Sequence, residues 1–137
     1  MPIEYFKDKA SGILHADLFD VQAERAANNL GKISSAQFRN YFAEIRGLEA
    51  RLEAAKAKDG ERAFDRIKPY LRMVNAKLAY GQRSRGNTSP EFAKFLGEAV
   101  NGANDEQEFR AMVQYVEAVL AYFYFNESQN RGYRGGR

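Results

Sequence analysis

Phe38, Tyr41, Phe42, Ile45, Leu48 and Leu52 follow one another at intervals of one to four residues along one face of a helical wheel. A stripe of this kind argues for an amphipathic α-helix. Ser34, just ahead of it, is a suitable N-cap, and Gln37 three residues on completes a capping box. The period returns in Phe64, Ile67, Leu71, Val74 and Leu78. No stretch shows a convincing period-two alternation, and glycine and proline are sparse inside the periodic segments, so the chain reads as all-α. With 137 residues it is long enough for one domain with a real core and too short for two comfortable ones.

Punctuation places the other helices. A first helix is expected from about Asp17 to Leu30, closed by Gly31 in a left-handed conformation, on a thin apolar set of Leu18, Val21 and Leu30. Pro69 inside the third helix predicts either a fresh start or a kink about one turn earlier. Ser89-Pro90 opens a short fourth helix to about Val100, with Gly102 closing it. Asn104-Asp105-Glu106-Gln107 reads as a second capping box, and a fifth helix runs through FRAMVQYVEAVLAYFYF. From Val113 onward that helix is apolar on nearly every face, as expected of a central helix or of a surface covered by a partner. The expected architecture is a single small helical bundle of about five helices over residues 1–126. A flexible Arg/Gly-rich tail follows over residues 127–137.

Composition removes several function classes. There is no cysteine, so disulfides, thiolate metal sites and cysteine nucleophiles are excluded, which fits a cytoplasmic protein. The opening residues lack the basic-then-apolar pattern of a secretory signal. The most apolar stretch, VEAVLAYFYF, is about half the length of a membrane span, so no membrane partner is expected. His15 is the only histidine, without a partnering acid cluster, and no glycine-rich phosphate loop is present. Asp105, Glu106 and Glu108 are explained by the dipole of the helix they open. Glu117, within an apolar helix, is expected to be paired, hydrogen-bonded or at an interface. These residues form no catalytic constellation, and no metal or cofactor is expected.

Charge is distributed unevenly. Residues 32–87 carry thirteen basic and six acidic side chains, whereas residues 88–126 carry two and six. A local positive field of this kind suits a polyanion. On the wheel of the third helix, Lys68, Arg72 and Arg83 fall on one flank, and Arg62, Arg66, Lys77 and Tyr80 on the other. On the second helix, Arg39 and Arg46 share a face. Such rows can track phosphates, and Tyr80 can stack on a base or complete the core. Cations on a solvated helix face are also the ordinary state of a soluble protein, so charge alone leaves both readings open.

Three ordered blocks carry a resemblance. They are Ser34-Ser35-Ala36-Gln37-Phe38-Arg39-Asn40-Tyr41-Phe42, then Lys68-Pro69-x-Leu71 with Leu78-Ala79-Tyr80 and Arg83, and last Val116-Glu117-Ala118-Val119-Leu120-Ala121-Tyr122. Together the chain resembles the small-subunit family of type III-A (Csm) CRISPR–Cas effector complexes over roughly residues 32–125. The resemblance implies a helical bundle without enzymatic activity, several copies of which self-associate as a filament. Its partners would be the crRNA-bearing backbone and large subunits and single-stranded target RNA held through phosphates. It makes Arg39, Lys68, Lys77, Tyr80 and Arg83 the expected RNA contacts, with Gln37 as cap or contact. Arg46, Arg72 and Arg85 join them on charge geometry. The alternative is a protein-interaction bundle that self-associates or docks without touching RNA. A DNA-binding helix-turn-helix is disfavoured, because no helix carries an evident base-reading set.

Overall fold

The computed structural model describes residues 2–84 and 88–135. Five α-helices follow a small hairpin: β1 (Phe6–Asp8), β2 (Ile13–Leu14), α1 (Val21–Ala27), α2 (Ser35–Asp59), α3 (Ala63–Ser84), α4 (Pro90–Asn101) and α5 (Glu106–Gly135). A single 3-10 turn, Gly60–Arg62, joins α2 to α3. The all-α bundle is as expected, with the hairpin as an addition. Its two strands are antiparallel, Phe6 opposite Leu14 and Asp8 opposite Ile13. They are too short to display an alternation.

The core gathers around Phe38 of α2. Its fully buried ring lies 4.9 Å from Phe92 and 6.1 Å from Phe95 of α4, and 5.5 Å from Phe123 of α5. Edge and tilted contacts of this kind add to the burial itself. Phe64 of α3 meets Phe109 of α5 at 5.7 Å, which extends the core to the other end of the bundle.

Caps set most helix starts. Ser34 Oγ accepts from the Gln37 amide at 3.1 Å, but no reciprocal bond from the Gln37 side chain is seen among the described residues. Ser89 Oγ accepts from the Phe92 amide at 3.0 Å, with Pro90 at the first helical position and Gly102 as C-cap. At α5 the box sits one residue later than expected. Asp105 Oδ1 accepts from the Glu108 amide at 2.8 Å, and Glu108 Oε1 accepts from the Asn104 amide at 2.9 Å. Asn104 is thus outside the helix, bonded rather than capping.

Helices α1, α3 and α5 differ in detail from the expectations. The first helix is shorter than 17–30. Asp17 and Asp20 hold the preceding backbone in turns, and Gly31 takes its positive φ of 67° three residues after the Asn28 C-cap. Helix α3 is continuous through Pro69 rather than restarting there. Asp65, whose carbonyl loses its amide donor, is exposed, so water can satisfy it. Helix α5 extends to Gly135. Its apolar surroundings are also less complete than expected: Gln114, Glu117, Ala121 and Phe125 form an exposed stripe at three- and four-residue steps. Glu117 therefore faces solvent, and the water that hydrates it removes the need for a partner.

The N-terminal segment is part of the fold. The Ile3 amide donates to the Glu98 carbonyl at 3.1 Å, and the buried Tyr5 hydroxyl donates to the Ala99 carbonyl at 2.6 Å. Burial pushes the Tyr5 hydroxyl well above its ordinary pKa. Gly102 permits this crossing, because a Cβ there would collide with the Ile3 carbonyl oxygen and crowd the Tyr5 ring. Gly102→Ala is expected to destabilise the fold by about 1–3 kcal/mol, the usual range for overpacking. Urea unfolding would read this as a lower midpoint, and an unchanged midpoint would show that the segment is not held there.

Candidate nucleic-acid interface

Helices α2 and α3 bring together the basic third of the chain. Their seam is made by pairs that sequence spacing does not reveal. Lys77 Nζ donates to Glu44 Oε1 at 2.8 Å, Arg66 Nε lies 2.6 Å from Asp59 Oδ2, and the Arg51 guanidinium sits 4.4 Å from the centre of the Tyr70 ring. Between these pairs lies a shallow groove of about 290 Å³, bordered by Gly47, Tyr70, Met73 and Lys77. The Tyr41 hydroxyl donates to the Lys77 carbonyl at 3.3 Å and lies 3.0 Å from Thr88 Oγ1. One buried side chain thus anchors the end of α3 and the point where the chain re-enters the bundle.

The candidate residues occupy three rows rather than one plane. Lys68, Arg72 and Arg83 lie on the α3 flank toward α4. This is fixed by Arg72 Nη1, which donates to Asn101 Oδ1 at 2.9 Å, and by Asn75 Nδ2, which donates to the same oxygen at 3.0 Å. Arg72 also binds Asn104, so its guanidinium ties α3 to the α4–α5 turn. Lys77 lies on the opposite flank, facing α2. Arg39 and Arg46 lie in a seven-residue row with Glu53, which pairs with Arg110 of α5. Arg46 is 3.4 Å from Glu49 and 5.9 Å from the Phe42 ring. Gln37 is half-buried at the start of α2, and Arg85 is outside the described residues.

Four of these cations, Arg39, Lys68, Arg72 and Arg83, have no carboxylate partner among the described residues, and of them Arg72 is held by the Asn101 and Asn104 side chains. The acids opening α5 are already neutralised. Lys9, at the hairpin tip, bridges Asp105 and Glu108, while Lys56 and Arg110 bracket Glu106 at 2.8 and 2.9 Å. Burial alone would raise the Asp105 carboxyl, but hydrogen bonds from Lys9 and the Glu108 amide hold it below its ordinary value. The bond from Lys56 does the same for Glu106, against burial and with help from Arg110. Three of the six acids of residues 88–126 are thus paired inside the molecule.

His15 contributes its backbone amide, 3.1 Å from the Tyr5 carbonyl, to hairpin closure. Among the described residues, no group of three or more His, Asp or Glu side chains is placed to hold a metal ion. Nor is any helix there long and apolar enough to cross a membrane. Tyr124 is half-buried against the core, and its hydroxyl has no hydrogen-bond partner among the described residues. Among the described side chains of α5, Phe125 is the large exposed aromatic. Glu44, Arg51 and Tyr70 join the α2–α3 seam without being among the sequence candidates. Only the positions of Tyr70, Met73 and Tyr80 on one side of the α3 wheel signalled an exposed face.

The family described as Csm2 Type III-A matches residues 14–129, most of the chain. No curated protein and no solved structure matches it. The matched span takes in α1 through α4, the whole α2–α3 seam and most of α5, and it contains all three sequence blocks. The chain therefore belongs to the Csm2 family, the small subunits of type III-A CRISPR complexes.

Proposed function

We propose that this subunit is non-catalytic, binds single-stranded target RNA through its phosphates without sequence specificity, and helps the effector complex to assemble. The observation that carries the reading is the contrast in charge pairing. Arg39, Lys68 and Arg83 stand on α2 and α3 without a carboxylate among the described residues, whereas the acids that open α5 (Asp105, Glu106 and Glu108) are tied up internally. Unpaired guanidinium and ammonium groups on rigid helices can meet phosphates with little rearrangement. Lys77 can join them by exchanging Glu44 for phosphate. A cytoplasmic ribonucleoprotein containing the crRNA-bearing backbone and large subunits is the setting this chemistry suits.

The test is made in the reconstituted type III-A complex. Lys77→Glu combined with Arg83→Glu should leave assembly intact and abolish target-RNA retention in a pull-down. Retention equal to wild type would remove the direct RNA role. The second reading, a docking bundle without RNA contact, draws on Phe125, which is 55% exposed on the outward stripe of α5. It predicts loss of assembly, with RNA contact unaffected, when Phe125 is replaced by serine.

A further inference from the structure

The outward face of α3 carries an aromatic group that a phosphate-binding surface does not require. Tyr80 is 70% exposed, the most open large hydrophobic side chain among the described residues, and Met73 two turns earlier on the same face is 52% exposed. Helix geometry puts them about 10 Å apart along the axis. Lys77 precedes Tyr80 by three residues on the flank toward α2, and Arg83 follows it by three on the flank toward α4. The ring therefore stands between two cations, each about 5 Å away along the axis. Its helical neighbours Ala76 and Ala79 are exposed and too short to cover it.

We infer that Tyr80 is a stacking platform for a nucleobase of single-stranded RNA, whose flanking phosphates are held by Lys77 and Arg83. The inference rests on the RNA-binding reading and deepens it, from backbone tracking alone to backbone tracking with one base held at α3. The occupant follows from the charges. An apolar protein contact would leave Arg83, which has no carboxylate among the described residues, and the Lys77–Glu44 pair at the edge of a dry patch, where desolvation is costly. A nucleotide offers a π-face to the ring and anions to both neighbours, the pairing by which sequence-tolerant single-strand binders work. Tyr70 is not part of the platform, since Arg51 already covers its ring.

The test uses the full chain with fluorescein-labelled oligoadenylate, and inorganic polyphosphate as a base-free polyanion. Tyr80→Ala should weaken oligoadenylate binding at least about five-fold, the lower end for loss of one base–aromatic stack. The slope of log affinity against log salt should stay unchanged, because no phosphate contact is lost. Tyr80→Phe should retain wild-type affinity, and polyphosphate should bind both variants as it binds wild type. Because the side chain is exposed, neither change should alter the circular dichroism. Wild-type oligoadenylate affinity in Tyr80→Ala, with Lys77→Glu still weakening it, would overturn the platform and leave the phosphate reading standing. A lower mass of Tyr80→Ala by light scattering would overturn it by making the face a contact between copies. No binding of oligoadenylate by the wild-type chain would end both.

Discussion

Phe38→Ala is expected to destabilise the subunit by about 3–5 kcal/mol, the usual range for removing a fully buried phenylalanine. The ring touches Phe92 and Phe95 of α4 and Phe123 of α5, so its loss opens a cavity where three helices meet. These neighbours are themselves large and held by separate helices, which limits how far they can collapse into the space. Small single domains have net stabilities of only about 5–15 kcal/mol, so the variant should be close to unfolding at physiological temperature. Urea unfolding checks this as a lower midpoint with an unchanged slope. A change below about 1 kcal/mol would mean that the aromatic junction is not the centre of the core.

Replacing Arg39, Lys68 and Arg83 together by glutamine should lower affinity for single-stranded RNA roughly 100-fold at low salt. The figure follows from about 1 kcal/mol for each exposed charge contact. The salt slope should become shallower by about 2, since each phosphate contact to a single strand contributes about 0.7. Stability should hardly change, because no carboxylate among the described residues loses a partner. Arg72→Gln should behave differently: its bonds to Asn101 and Asn104 join α3 to the α4–α5 turn, so it should lower stability as well. Glu44→Gln should tighten RNA binding by freeing Lys77 from its 2.8 Å ion pair. Fluorescence anisotropy across a salt series, together with urea unfolding, separates these outcomes.

The parts of the molecule legible in sequence are those determined locally. The stripe from Phe38 to Leu52 became α2 because each of its positions repeats the same helical face, and Ser89-Pro90 became the α4 start because the cap lies within three residues. What sequence did not reveal depends on pairs far apart in the chain. Lys77 meets Glu44 across the α2–α3 seam, Arg72 meets Asn101 on α4, and Lys9 crosses from the hairpin to Asp105 and Glu108. Those pairings decide which cations stand without a carboxylate among the described residues, and a count of basic residues does not show them. Glu117 was misjudged for a related reason. Apolar neighbours in sequence suggested burial, whereas the 100° step per residue carries Gln114, Glu117, Ala121 and Phe125 onto one open stripe.

The end of α3, from Lys77 to Ser84, is thus both a helix terminus and part of a surface. Tyr41 and Thr88 anchor it, Gly81 lies tight against both of them, and Tyr80 projects outward between two cations. The measurement that bears most directly on the account is the affinity of the full chain for oligoadenylate, oligouridylate and a mixed-sequence RNA as salt is raised. The account predicts a linear fall of log affinity with log salt, about 0.7 per phosphate contacted, with one slope for all three RNAs and affinities within a few-fold of each other. Binding that ignores salt, or that depends on a single sequence, would contradict it.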